Sequence, residues 1–115
     1  MRAGRLRHWL TFQRKVTDLD SDGATVEVWV DAFELNSRMP CEVEYLSGRE
    51  LIAAQMVNSR VTCRLSTRYR PGFDATLRAT QPDGTIYNLE ALVPDSRSGR
   101  RDVTFLASTG INEGG

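Results

Sequence analysis

The side chains able to do chemistry in this 115-residue chain are few and scattered. His8 is the single histidine, and the alternation of RHWLTFQRK sets it on one strand face with Leu10 and Phe12, a core or rim position. With His8 read as core or rim rather than catalyst, no nucleophile–base–orienter set is assembled from these residues. Cys41 and Cys63 stand apart from each other and from any Cys/His cluster, which leaves no zinc-ligand spacing and no disulfide framework; they read as buried free thiols. The carboxylate pairs Glu42/Glu44 and Asp20/Asp22 could meet a cation, but Asp20-Ser21-Asp22-Gly23 lacks the downstream glutamate of a calcium loop and reads as a solvated turn. No Walker sequence, no GxGxxG after a strand and no HExxH is present. The expectation is a protein without catalytic residues, cofactor or metal.

One constellation remains. Arg64, Arg68 and Arg70 fall on one face of an alternating segment beside Tyr69, and arginines with an aromatic are what a small barrel uses to hold single-stranded nucleic acid. The same residues would equally decorate any solvent face. They are carried forward as candidate polyanion-facing residues, with a small nucleic-acid-binding β-barrel as the alternative function.

The elements that must position these residues are mostly strands. Residues 7 to 15 alternate as a first strand, and the Asp/Gly-rich stretch 16 to 24 predicts a turn at Asp22-Gly23. Residues 25 to 33 alternate again, with Val26, Val28, Val30 and Ala32 on one side. ELNSRMP, 34 to 40, predicts a loop before a third strand at 41 to 46. Residues 58 to 70 give the cleanest period of two, with Val61, Cys63, Leu65, Thr67 and Tyr69 inward and Thr62, Arg64, Ser66, Arg68 and Arg70 outward. Pro71-Gly72 ends that strand. A short strand at 76 to 80, a tight hairpin at Pro82-Asp83-Gly84 and a strand at 85 to 93 follow. A loop at 94 to 100 leads to a last strand at 101 to 108. About seven short strands predict a mainly β fold, a small antiparallel β-barrel closed on itself, with one short helix between strands three and four. Residues 1 to 108 form one domain and 109 to 115 a flexible tail.

The helix is the anomaly. Ser47 and Glu50 have the Ser-x-x-Glu spacing of a capping box, and Leu46 and Leu51 that of a hydrophobic staple. From Leu51 to Val57 the only polar residue is Gln55. A helix apolar nearly all round must be buried nearly all round, and a single sheet covers one side. Three destinations stay open: a plug in the end of its own barrel, a second face taken by a neighbouring subunit, or an exposed, mobile segment.

Bulk composition excludes some classes. Lys and Arg number 15, as do Asp and Glu, so the net charge is zero and a simple polyanion-binding coat is disfavoured. Charge is segregated: Arg2, Arg5, Arg7, Arg14 and Lys15 come without an acid, and then Asp18, Asp20, Asp22, Glu27, Asp31 and Glu34 without a base. No stretch approaches the roughly 18 apolar residues that span a bilayer, and the N-terminus lacks a signal-peptide core. A soluble chain with no membrane partner, made in the host cytoplasm, is expected.

Taken together, RAGRLRHWLTFQR, WVDAF, SGRELIAAQ, VTCRLSTRYRPG, GTIYNLEAL and RRDVTFL, collinear over residues 2 to 107, resemble the head–tail joining or head-closure proteins of long-tailed, double-stranded DNA phages. Similar proteins occur in prophages and gene transfer agents. The resemblance implies a β-barrel adaptor of the virion, at the head–tail interface, that assembles with itself as a ring, usually of twelve copies. The ring would lie between a portal-side adaptor and a tail terminator or tail tube protein, with packaged double-stranded DNA nearby. It implies DNA retention and tail docking, and no catalysis. In some members the segment matching 47 to 57 lies near the channel or in subunit contacts, which makes Arg49, Leu51, Ile52, Gln55, Met56 and Val57 the expected interface residues. ELNSRMP departs from the family pattern, being longer and more polar than its usual hydrophobic run.

Overall fold

A computed structural model describes residues 8 to 93 and 102 to 109. In chain order the elements are β1 (His8–Leu19), β2 (Thr25–Asp31), β3 (Arg38–Tyr45), α1 (Gly48–Val57), β4 (Cys63–Arg68), β5 (Arg78–Thr80), β6 (Ile86–Val93) and β7 (Asp102–Thr109). The strands hydrogen-bond in the order β2-β1-β3-β4-β7-β6-β5, and β1 also pairs with β5. That last pairing closes six antiparallel strands into a barrel and leaves β2 as an extra strand outside it.

Alternation fills the barrel. Leu10 and Phe12 of β1, Cys41 of β3, Cys63 and Leu65 of β4, Ala79 of β5, Leu89 of β6 and Phe105 of β7 are all buried. Phe73 packs edge-on against Phe12 at 5.0 Å, Phe105 at 5.5 Å and Phe33 at 5.2 Å, a ring geometry favoured by the aromatic quadrupole. The thiols are free and buried; burial pushes Cys41 up to about 12 and Cys63 up to about 11.

Several boundaries differ from the sequence expectation. β1 runs on to Leu19, because Arg14 to Leu19 pair with β2 from Val30 back to Thr25; polar residues suit a ribbon open to water. Its turn closes with the Asp20 amide donating to Ala24 O at 2.9 Å, and Gly23 adopts φ +83°. β3 starts at Arg38, inside the expected loop. Ser37 ends that loop by accepting the Phe33 amide and donating to the Phe33 carbonyl, each at 2.9 Å. Pro40 is tolerated because pairing to β4 begins only at Cys41, and its carbonyl takes the Thr67 hydroxyl at 2.9 Å. The expected strand at 58 to 70 shrinks to Cys63–Arg68; Val61 is buried, but Tyr69 is exposed rather than in the core. The loop expected at 94 to 100, residues Arg2, Arg5 and Arg7, and the tail from 110 lie outside the described residues. Thr109, expected to open that tail, is the last residue of β7.

The registers place two projections at opposite ends. β1 pairs with β3 from His8 opposite Cys41 to Thr11 opposite Arg38. β3 therefore leaves toward α1 past the start of β1, while β1 leaves toward β2 past the start of β3.

Candidate functional interface

Ser47 is the helix N-cap, in extended conformation, as its position predicts, but the capping box does not form: its side chain makes no cap bond. Gly48 enters the helix at φ +57°, a left-handed start rather than the regular first turn that the box requires. Leu46 is buried, and its amide donates to Thr62 O at 3.0 Å, which fixes where the helix departs.

Beyond that point packing thins, with only Leu51 and Ala54 half-buried. No residue of α1 is buried. Met56 is 83% exposed, Val57 77% and Ile52 65%. Arg49 and Gln55 are also exposed, and Leu51 is half-buried. The segment is therefore no plug for its own barrel, and of the three destinations this one is removed. Polar contacts hold its C-terminal end. Gln55 Nε2 donates to Val61 O at 2.9 Å, and Asn58 Nδ2 donates to Glu90 Oε1 at 3.2 Å. Glu90 sits in the register shift between Leu89 and Ala91 of β6, a bulge that re-aims a side chain. Its other oxygen accepts the Ser108 hydroxyl at 2.6 Å. Glu90, Ser108 and Asn58 carry no sequence signal that would have singled them out, because the bulge and the long-range pairing exist only in the fold.

The arginine row does not form one track. Arg64 reaches Glu44 at 2.8 Å across the β3–β4 ladder. Arg70 lies over the Phe33 ring at 4.0 Å and donates to Asn36 O at 2.9 Å. Arg68 is exposed at the end of β4. A second cationic surface emerges instead on the outer face of β1, where Arg38 stacks over Trp9 at 5.0 Å and Arg78 over Trp29 at 4.3 Å.

His8 is exposed at the start of β1, opposite Cys41. Among the described residues no three His, Cys, Asp or Glu side chains come together as a metal site, and no helix is long and apolar enough to cross a membrane.

Known proteins place this arrangement. No curated protein matches the chain. The solution structure of protein SF1141 from Shigella flexneri 2a is similar, with a TM-score of 0.71 and 26% identity over 98% of this chain and 100% of that one. The sequence model of the phage head completion proteins matches residues 1–110. A barrel with an uncovered apolar helix, matched over nearly its whole length, thus belongs to the phage head completion protein family, whose members are structural components of the virion.

Proposed function

We propose that this chain is a head–tail connector adaptor. Copies assemble as a ring, twelve in the particle, between a portal-side adaptor and a tail terminator or tail tube protein. The ring helps to retain packaged DNA and offers the tail its docking surface. Its working parts are interfaces, and its mechanism is mechanical and electrostatic.

The observation that supports this reading is α1, a ten-residue helix with none of its side chains buried. Isolated helices shorter than about 12 residues are marginal in water, so this one gains most from a partner that covers Ile52, Met56 and Val57. Family membership supports a role in the phage head, and the exposed helix face offers a surface for it.

The test is Ile52→Asp or Met56→Asp. The reading expects each variant to melt like the parent as a free domain and to form no ring or connector by native mass spectrometry with the portal complex. Unfolding of the free domain, or rings that form regardless, would remove α1 as the assembly surface.

A further inference from the structure

The β1–β2 arm carries an acidic, greasy tip away from the barrel. From Arg14 to Leu19 β1 pairs with β2 alone, which at about 3.3 Å per residue makes an arm roughly 20 Å long. At its end Asp18, Asp20 and Asp22 are exposed around Leu19, which is 66% exposed. Backbone amides fix two of these carboxylates: Asp18 Oδ1 accepts the Leu19 amide at 2.8 Å, and Asp20 Oδ1 accepts those of Asp22 and Ala24 at 2.9 and 2.8 Å.

The wall at the arm's base has the complementary character. Trp9 is 47% exposed beneath the Arg38 guanidinium. Beside it Arg78 covers Trp29, and its Nε donates to Gln13 Oε1 at 2.8 Å. Cation–aromatic stacks occur about once per 70–80 residues; here Arg38 lies on Trp9, and at the root of the arm itself Arg78 and Lys15 lie on Trp29, with Lys15 also paired to Glu27 at 3.2 Å. Tryptophan and arginine are the residues that most often anchor protein interfaces, and a stacked guanidinium is already oriented for a carboxylate.

The tip cannot reach its own Trp9–Arg38 stack. Trp9 and Leu19 lie on one strand, roughly 33 Å apart at 3.3 Å per residue. We propose that the arm of one copy docks its Asp18–Asp22 tip, with Leu19 at the centre, on the Trp9–Arg38 wall of a second copy. Tip and wall are different patches, so the contact is heterologous and passes from copy to copy, as a closed ring requires. The inference rests on the reading that copies of this chain assemble, and it adds the contact that orients them.

The full chain tests it by sedimentation and by cross-linking. Trp9→Ser and Leu19→Ser should each weaken self-association roughly tenfold or more, the loss of one interface anchor. The double variant should be no weaker than the worse single one, because both remove the same contact. Leu19→Cys copies mixed with Trp9→Cys copies should give a mixed disulfide under mild oxidation, since the native thiols are buried. Additive effects, unchanged association, or cross-links only between like copies would overturn arm-to-wall docking and leave the ring standing. Absence of any association, both free and in assembled particles, would take down the ring reading and this inference with it.

Discussion

The barrel's two projections are built on different physics. The β1–β2 arm is held by its ladder, whose hydrogen bonds run strand to strand whatever the side chains do, so it carries charged residues into water without loss of form. α1 has neither a formed side-chain cap nor a buried residue. It hangs between Leu46 at one end and the Gln55 and Asn58 contacts at the other. An apolar surface left out of the fold is available to a partner, and a charged arm is suited to orienting that partner. In the proposed assembly, affinity and orientation fall to opposite ends of the barrel.

The largest difference is expected between the helix and the barrel core. Phe105→Ala removes a fully buried ring of the barrel and should cost about 3–5 kcal/mol in denaturant unfolding. Ile52→Asp or Met56→Asp should stay within about 0.5 kcal/mol of the parent, since exposed sites rarely do more. If the aspartates cost as much as the alanine, the helix is part of the core and the distinction fails.

Alkaline pH acts on the barrel core. Cys41 and Cys63 have pKa values raised from 9.0 to about 12 and about 11 by desolvation. The folded values lie above the unfolded one, so their contribution is full below pH 9 and is lost as pH rises toward 11 to 12. Stability should fall there by up to about 1.4 kcal/mol per pH unit for each thiol. Burial raises the Tyr87 phenol as well, so replacing both cysteines with alanine should reduce that slope without abolishing it, and an unchanged slope would assign it to Tyr87 and other groups.

Glu90→Ala should act at the helix end alone. Loss of its bonds to Asn58 and Ser108 should cost about 1 kcal/mol and raise amide exchange over residues 48 to 57, with the β4–β7 ladder unchanged. Uniform exchange across the barrel would make Glu90 a core determinant rather than the helix clasp. The smallest effect is expected from Arg64→Ala, which breaks a partly exposed pair with Glu44 and should cost under about 1 kcal/mol, less at high salt.

Much of the barrel was legible in the sequence, because a period of two needs only local reading. Val61, Cys63, Leu65 and Thr67 alternate and are buried as predicted. The hairpin at Pro82 to Gly84 closes with the Gln81 amide donating to Thr85 O at 2.9 Å. Resemblance to the head-completion family was legible too, as a set of collinear motifs. What escaped depends on partners distant in sequence. β1 outlasts its own pattern because β2 pairs with it, and β3 begins early because Ser37 closes the preceding loop. Tyr69 leaves the core because β4 stops at Arg68. The candidate arginines were chosen along one strand, whereas Arg64 is engaged across the ladder and the aromatic–cationic wall joins residues of β1, β2, β3 and β5. At the helix, composition announced an apolar rod; only the fold reveals that its own barrel leaves it uncovered.

Hydrogen exchange over residues 48 to 57, measured on the free chain and on assembled connectors, reads the covering of α1 itself. The account predicts fast exchange in the free protein, where the helix is short and unpacked, and strong protection once neighbours cover Ile52, Met56 and Val57. Equal exchange in both states would mean that nothing covers the helix in the particle, and would contradict it.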